Sequence, residues 1–183
     1  MGNPQPKDQD SGSVVQDWEI GWLAGMLDAD GSIMMNRHQK RRLAKPPHER
    51  VYLEPYVFFY GTDVPTLHKI DDILCRLRLA HYISWNANSH GYKKSTGQKR
   101  RLWAIRAVGF KRAHALLVTI TPYLTTKRPQ ADLILQWTRI RLAMPTNGQR
   151  RKPYTSEEIG LVDRIRNMNR GLGSETKRWV PNY

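Results

Sequence analysis

The sequence is poor in cysteine and has no long apolar run. Cys75 is the only cysteine among 183 residues, so an internal disulfide is impossible and a zinc site built on several cysteines is unsupported. No apolar stretch approaches the roughly 20 residues that span a bilayer. Residues 1–16 are polar and lack the apolar segment of a signal peptide, so they are expected to be a disordered lead-in. We therefore expect a reduced, intracellular protein with no membrane partner.

Acidic residues are also scarce. Asp and Glu together number 16 against 30 Lys and Arg, which gives a formal net charge of +14 and a pI near 10.2. A domain with a pI above about 9 and clustered basic residues is typical of proteins that bind nucleic acid. An anionic membrane is the other surface that such charge suits, but no basic amphipathic helix stands apart from the rest of the pattern. The charge therefore predicts nucleic acid as the partner.

The most informative segment is residues 23–31, LAGMLDADG. It reads as a helix of small and apolar residues that ends in two carboxylates. Asp28 and Asp30 fall where a helix presents its unpaired carbonyls and the negative end of its dipole, so a cation is needed to offset them. Gly31 predicts the end of the helix. The alternative is an ordinary packed helix closed by an Asp-Ala-Asp-Gly turn.

One face of this helix carries little side-chain bulk. Gly21, Ala24 and Gly25 are spaced i, i+3 and i+4, so they share a helical face that lets a second helix come very close. The segment therefore predicts a tight helix–helix contact that delivers acidic groups to one end.

This nonapeptide resembles the signature motif of the LAGLIDADG homing endonucleases, with Met26 and Leu27 in place of other apolar residues. The chain is too short for two copies of the family domain and shows no second motif of this kind. It is therefore similar to the single-motif group, which works as homodimers. The resemblance implies one domain over residues 17–183, including a C-terminal helical and basic extension. It also implies a symmetric dimer contact formed by Gly21, Ala24, Gly25 and Asp28.

Periodicity and breakers predict an α+β order of elements. We expect a helix over 17–28, strands over 33–37 and 51–60 joined by a charged hairpin tip, a helix capped by Thr62 or Asp63, strands over 82–86 and 102–108, and helices over 111–121, 128–143 and 155–168. This order agrees with the αββαββα core that the resemblance implies. In that family the antiparallel sheet forms a saddle whose concave face lies along DNA, with the helices on the other face.

The resemblance also implies the chemistry of the site. Asp30 matches the carboxylate that binds a metal ion, and Ala29 matches the position that lends a backbone carbonyl. Hard oxygen ligands favour Mg²⁺, with Mn²⁺ as a substitute. Lys127 follows a Pro-Tyr-Leu turn and matches the active-site lysine; the alternative is a loop lysine that caps a helix. Thr62 occupies the place of a water-orienting glutamine, although a helix cap is the simpler interpretation.

The strands and their tips are expected to contact DNA, with Arg directed to guanine and Asn or Gln to adenine. The candidates are Ser32, Arg37, Gln39, Arg41, Arg42, Trp85, Asn86, Asn88, Tyr92, Lys93, Lys94, Arg100 and Arg106.

Together these features predict a homodimeric, Mg²⁺-dependent endonuclease. It would cut a long, nearly palindromic site in double-stranded DNA, in the prokaryotic cytoplasm or organelle that holds that DNA, and so support intron mobility. Two alternatives share the fold. One is a maturase that binds intron RNA and stacks unpaired bases on Tyr82, Trp85 or Tyr92. The other is a catalytically inactive DNA-binding regulator.

Overall fold

The fold alternates helices with antiparallel hairpins. The computed structural model describes residues 14–41, 49–86, 102–144 and 153–175. In these ranges the elements are α1 (Asp17–Asp30), β1 (Ser32–Arg41), β2 (Glu49–Gly61), α2 (Val64–Arg76), β3 (Tyr82–Asn86), β4 (Leu102–Val108), α3 (Phe110–Ile120), α4 (Arg128–Leu142) and α5 (Ser156–Glu175), with a 3₁₀ turn at Thr121–Tyr123. The predicted α+β fold with an antiparallel sheet is confirmed. The predicted lead-in up to residue 13 and the candidates Arg42, Asn88, Tyr92, Lys93, Lys94 and Arg100 lie outside the described residues.

The four strands form one antiparallel sheet in the order β1-β2-β4-β3. Ser32 lies opposite Phe58 on β2, and Phe58 lies opposite Arg106 on β4. Because strand side chains alternate between the two faces, this register sorts them. Ile33, Val57 and Ile105 are on the buried face, at most 2% exposed, in the same core as the helices. The other face, here called the free face, carries the alternate residues.

One side of helix α1 is buried within its own chain. Leu23, Ala24 and Leu27 are fully buried in the core that the sheet shares with all five helices. Burying a leucine side chain contributes about 1.5–3 kcal/mol. Glu19 of α1 also pairs with Arg76 at the end of α2. The position of the C-terminal end of α1 is therefore fixed by packing along its whole length.

The first hairpin is longer than the sequence predicts. The charged run after Arg37, predicted as a hairpin tip, continues β1 to Arg41, which pairs with Glu49. Hydrophobic alternation marks only the half of a strand that packs on a core, and the backbone ladder extends past it regardless of charge. Within the described ranges, none of the helices is long and apolar enough to cross a membrane.

Candidate active site

The end of α1 is shaped by a close approach to Gly31. Its N–H donates to the carbonyl of Leu27 at 3.1 Å, and its backbone is extended, with φ −79° and ψ −179°. A Cβ atom at this position would lie 2.7 Å from Cα and 2.8 Å from the carbonyl oxygen of Leu27. The predicted helix end at Gly31 is confirmed, and lack of space, not a positive φ, requires glycine here. The turn leads directly into β1 and leaves Asp30 exposed at the junction.

The Asp28 carboxylate binds the segment that precedes α4. Its Oδ2 accepts hydrogen bonds from the backbone N–H of Thr125 at 2.7 Å, the Thr125 hydroxyl at 2.8 Å and the N–H of Thr126 at 3.2 Å. Its Oδ1 accepts from the N–H of Lys127 at 2.8 Å. Burial raises the pKa of Asp28, but these hydrogen bonds together outweigh it, so the pKa lies below its usual value. The carboxylate is thus offset mainly by backbone amides.

The Lys127 side chain caps the C-terminal end of α1. Its ammonium group donates to the carbonyl of Leu27 at 2.8 Å and to the carbonyl of Asp28. These are two of the carbonyls that a helix end leaves unpaired. Burial lowers the pKa of Lys127, and the nearby carboxylates of Asp28 and Asp30 oppose that shift. The structure thus brings the two aspartates and the lysine together, and it shows Lys127 in the capping contact that the sequence left as the alternative.

Asp30 and Ala29 remain exposed beside this network. Within the described part of the chain, no group donates a hydrogen bond to the Asp30 carboxylate. Ala29 belongs to the last turn of α1, where carbonyl oxygens lack helical partners. A free carboxylate next to such a carbonyl is a donor set of hard oxygens, which fits Mg²⁺ with water completing its coordination.

Thr62 does not take part in this cluster. It is exposed in the turn between β2 and α2, and among the described residues no contact joins it to Asp30 or Lys127. The cap of α2 is Asp63, whose carboxylate accepts from the N–H of Thr66 at 2.9 Å. The assignment of Thr62 as a water-orienting residue stays a prediction.

The small residues of α1 do not all lie on the same side of the folded chain, because some pack against its core and others are exposed. Ala24 is 0% exposed, so its assignment to a contact between chains is wrong. It lies on the side of α1 that faces the core of its own chain. At Gly25, by contrast, an added Cβ would meet nothing within 4 Å, and at Gly21 it would lie 3.8 Å from the Tyr123 ring. The Asp28 carboxylate, also assigned to the dimer contact, is engaged within the chain.

The exposed side of α1, here called the free stripe, consists of Trp18, Gly25 and Ala29, with Trp22 partly buried at its edge. The sequence pattern did not single out its two tryptophans. Trp18 is 62% exposed, and Trp18, Trp22, Gly25 and Ala29 follow at i, i+4, i+7 and i+11. Lys69 of α2 places its ammonium nitrogen 5.1 Å and 4.4 Å from the centroids of the two indole rings. The i, i+4 spacing of the tryptophans was the available clue. The stripe narrows from aromatic to small residues towards the Asp30 end.

Strand register divides the residues expected to contact DNA between the two faces of the sheet. Arg37 shares the buried side of β1 with Ile33 and lines a groove with Tyr154 and Asp163, next to α5. Arg37 therefore lies on the opposite side of the sheet from Ser32 and Arg106, and its contact with DNA stays a prediction. Ser32 and Arg106 are on the free face, and the Arg106 guanidinium lies 5.5 Å from the centroid of the Phe58 ring.

Four further candidates are placed by register alone. Gln39 and Arg41 lie opposite Val51 and Glu49, and Trp85 and Asn86 lie opposite Trp103 and Leu102.

The free face also carries Asn36, Glu54 and Tyr56, which were not predicted, and Tyr82, which was predicted only as a base-stacking residue for RNA. Asn36 lies opposite Glu54, and Tyr82 lies opposite Arg106. The Tyr56 hydroxyl donates to Glu54 at 3.0 Å. Alternation with the buried residues of β1 and β2 would have identified Asn36, Glu54 and Tyr56, once the register of the strands was known. The free face therefore presents donors, acceptors and aromatic rings side by side.

Comparison with solved structures finds the same arrangement of elements. The homing endonuclease I-TnaI is 11% identical, with a TM-score of 0.52 over 80% of this chain and 84% of that chain. The meganuclease I-SmaMI, bound to uncleaveable DNA, is 11% identical, with a TM-score of 0.52 over 81% of this chain and 43% of that one.

The group I intron-encoded homing endonuclease I-CeuI, complexed with DNA, is 10% identical, with a TM-score of 0.52 over 70% and 57% of the two chains. Neither a protein-family model nor a curated protein matches this chain. At these identities the likeness concerns architecture, and the chain has the fold of the LAGLIDADG homing endonucleases.

Proposed function

We propose that this protein is a homing endonuclease that cuts double-stranded DNA as a homodimer with Mg²⁺. The observation that carries the proposal is the exposed Asp30 carboxylate at a rigid helix end, beside Lys127 and without a hydrogen-bond donor among the described residues. The net charge of +14 supports nucleic acid as the substrate. The DNA complexes of I-CeuI and I-SmaMI support the same substrate class for this fold.

Asp30 and the carbonyl of Ala29 would hold the metal ion. When bound, Mg²⁺ polarises phosphate oxygens and orients water for attack on the phosphodiester. Lys127 contributes by holding the carbonyls of Leu27 and Asp28, which fixes the direction of the last turn of α1. Its positive charge also favours the approach of a phosphate. The Asp28 carboxylate holds Lys127 in this place by accepting a hydrogen bond from its backbone N–H.

The dimer would form through the free stripe of α1. Gly25 and Ala29 add little bulk there, so two copies of α1 can approach closely near their C-terminal ends, while Trp18 supplies apolar area at the other end. A two-fold axis at this point brings two copies of Asp30 near each other. Each copy then serves one strand, which gives a double-strand break, with short 3′ overhangs, at a nearly palindromic site.

The free face of the sheet would bind the DNA. Antiparallel strands fit the major groove and offer alternate side chains to base edges. Arg106 suits guanine, Asn36 suits adenine, and Glu54 accepts a hydrogen bond from the amino group of cytosine. Cutting an allele that lacks the intron would support the spread of the intron that encodes the protein.

The test is cleavage of a randomised library of DNA duplexes by the purified protein with Mg²⁺. Wild type should enrich discrete, nearly palindromic cut sites, and Asp30→Asn should bind the same sites without cutting them. Asp132→Asn, an exposed aspartate on α4, is the matched control and should cut normally. Equal cutting by Asp30→Asn would refute the metal assignment. Binding without cutting by wild type would indicate the regulator, and selective binding of intron RNA alone would indicate the maturase.

A further inference from the structure

Three metal-ligating side chains meet where α2 ends and β3 begins. Asp71 and Cys75 are four residues apart on α2 and share a helical face. The chain reverses after α2 through Arg78, whose φ of 54° is left-handed, and this turn returns His81 to the helix. One ligand atom from each of Asp71, Cys75 and His81 lies within 4.8 Å of the other two. The spacing explains why the sequence alone, with its single cysteine, showed no zinc motif.

The His81 ring is held between two hydrogen-bond acceptors. Its side chain is 9% exposed, its Nδ1 lies 2.7 Å from the carbonyl oxygen of Leu79, and its Nε2 lies 2.7 Å from Oδ1 of Asp71. A neutral imidazole has one N–H, so it cannot donate to both. With the proton on Nδ1, the Nε2 lone pair faces the Asp71 carboxylate, and a metal cation between them would satisfy both groups. An Nδ1–H bond to a carbonyl is also how metal-binding histidines are oriented.

The surroundings of Cys75 favour a cation as well. Its Sγ lies 4.0 Å from Oδ1 of Asp71. The carboxylates of Asp71 and Asp72 both lie near this sulfur atom. The negative potential that disfavours a free thiolate here would stabilise a bound cation.

We propose that Asp71, Cys75 and His81 bind one Zn²⁺ ion through a carboxylate oxygen, a thiolate and Nε2, with water as the fourth ligand. Tetrahedral Zn²⁺ with bonds of about 2.0–2.3 Å separates its ligand atoms by roughly 3.3–3.8 Å. The observed separations of 2.7 and 4.0 Å bracket that range, so small rotations of the side chains complete the site. Sulfur and nitrogen ligands select Zn²⁺ over Mg²⁺.

The ion would join the end of α2 to the start of β3. Tyr82, the first residue of β3, is 42% exposed and lies opposite Arg106 on the free face. The bound metal would thus hold the edge of the free face in place. None of the three ligands belongs to the candidate active site of Asp28, Asp30 and Lys127, so this site does not depend on the proposed nuclease function.

The test uses untagged, full-length protein freed of metal with a chelator. Calorimetric titration should show one Zn²⁺ per chain and a higher unfolding temperature. Co²⁺ in its place should give a thiolate charge-transfer absorption band. Loss of an outer partner of a metal site weakens binding by about 10–100-fold, so we expect at least about 100-fold for Cys75→Ser and His81→Gln. His68→Gln, an exposed histidine on the same helix, should bind Zn²⁺ normally.

Three results would overturn the site: no Zn²⁺ binding by wild type, no charge-transfer band with Co²⁺, or unchanged affinity in both ligand variants. An ordinary ion pair between a protonated His81 and Asp71 would give the first two. The Co²⁺ spectrum is measured on wild type, so it stands even if a variant fails to fold.

Discussion

Asp28 and Asp30 are two residues apart in the same motif, yet their replacement by asparagine should have opposite effects. Asp28→Asn replaces one carboxylate oxygen with an NH₂ group, so it removes at least one of four hydrogen bonds and the charge that strengthens the others. Hydrogen bonds to charged groups contribute about 1.5–3 kcal/mol and neutral ones about 0.5–1.5 kcal/mol. Asp28 is only partly buried, and solvent screening reduces the difference.

We therefore expect Asp28→Asn to lower the free energy of unfolding by about 2 kcal/mol and the unfolding temperature by about 4–8 °C. Asp30→Asn should leave stability unchanged or raise it by up to about 1 kcal/mol, because a carboxylate at a helix C-terminus is unfavourable. It should abolish cleavage. Urea titration followed by tryptophan fluorescence at pH 7 measures the first effect, and a cleavage assay measures the second.

The pH dependence gives a second check on Asp28. Its pKa is lower in the folded state than in the unfolded chain, so its stabilisation is complete above the unfolded value of about 3.9. That stabilisation is lost as the pH falls through the folded value. The stability difference between wild type and Asp28→Asn should therefore shrink as the pH falls below about 4. Equal stability at pH 7, or a difference that persists in acid, would refute the assigned role.

Three further pairs of outcomes follow from the geometry. Gly31→Ala should destabilise the fold by about 1–3 kcal/mol through overpacking, whereas Gly25→Ala should stabilise the isolated chain by up to about 1 kcal/mol and weaken dimerisation. Urea titration measures the two stabilities, and analytical ultracentrifugation measures dimerisation. A Gly31→Ala variant as stable as wild type would contradict the close approach of Leu27 to Gly31. Lys127→Met should slow cleavage by about 10²–10³-fold and lower the unfolding temperature, and rapid single-turnover cleavage would show that the lysine is only a cap. Arg106→Ala should weaken specific DNA binding by about 1–3 kcal/mol while Arg37→Ala has little effect, as measured by fluorescence anisotropy; the reverse order would place DNA on the other face.

The sequence was sufficient for the order of elements and for the meeting of Asp30 with Lys127. Helical periodicity, the turn residues and the aromatic strand at residues 51–60 located the hairpins and helices. The proximity of the aspartates to Lys127 came from family resemblance, since nothing local joins residues 97–100 positions apart. The hydrogen bonds of Lys127 to the last carbonyls of α1 confirm that proximity.

The sequence was not sufficient for side-chain direction. Arg37 differs from Asn36 by one position, and strand alternation turns them to opposite faces, so only the register identifies the face that each occupies. Ala24 and Gly25 are equally small, and only tertiary packing decides that Ala24 faces the core. The position of Asp28 at a helix end correctly predicted that other groups must stabilise its negative charge. Most of that stabilisation comes from the backbone N–H groups of residues 125–127.

The hydrogen bonds between Asp28 and residues 125–127 also determine when the helix end is fixed during protein synthesis. Their two ends are 97–99 positions apart in the chain, and a ribosome adds about 5–20 residues each second. For several seconds a growing chain contains Asp30 without the segment that fixes the helix end beneath it. The candidate site is assembled only after residues 125–127 have emerged, so unfinished chains carry the motif without the hydrogen bonds that support it.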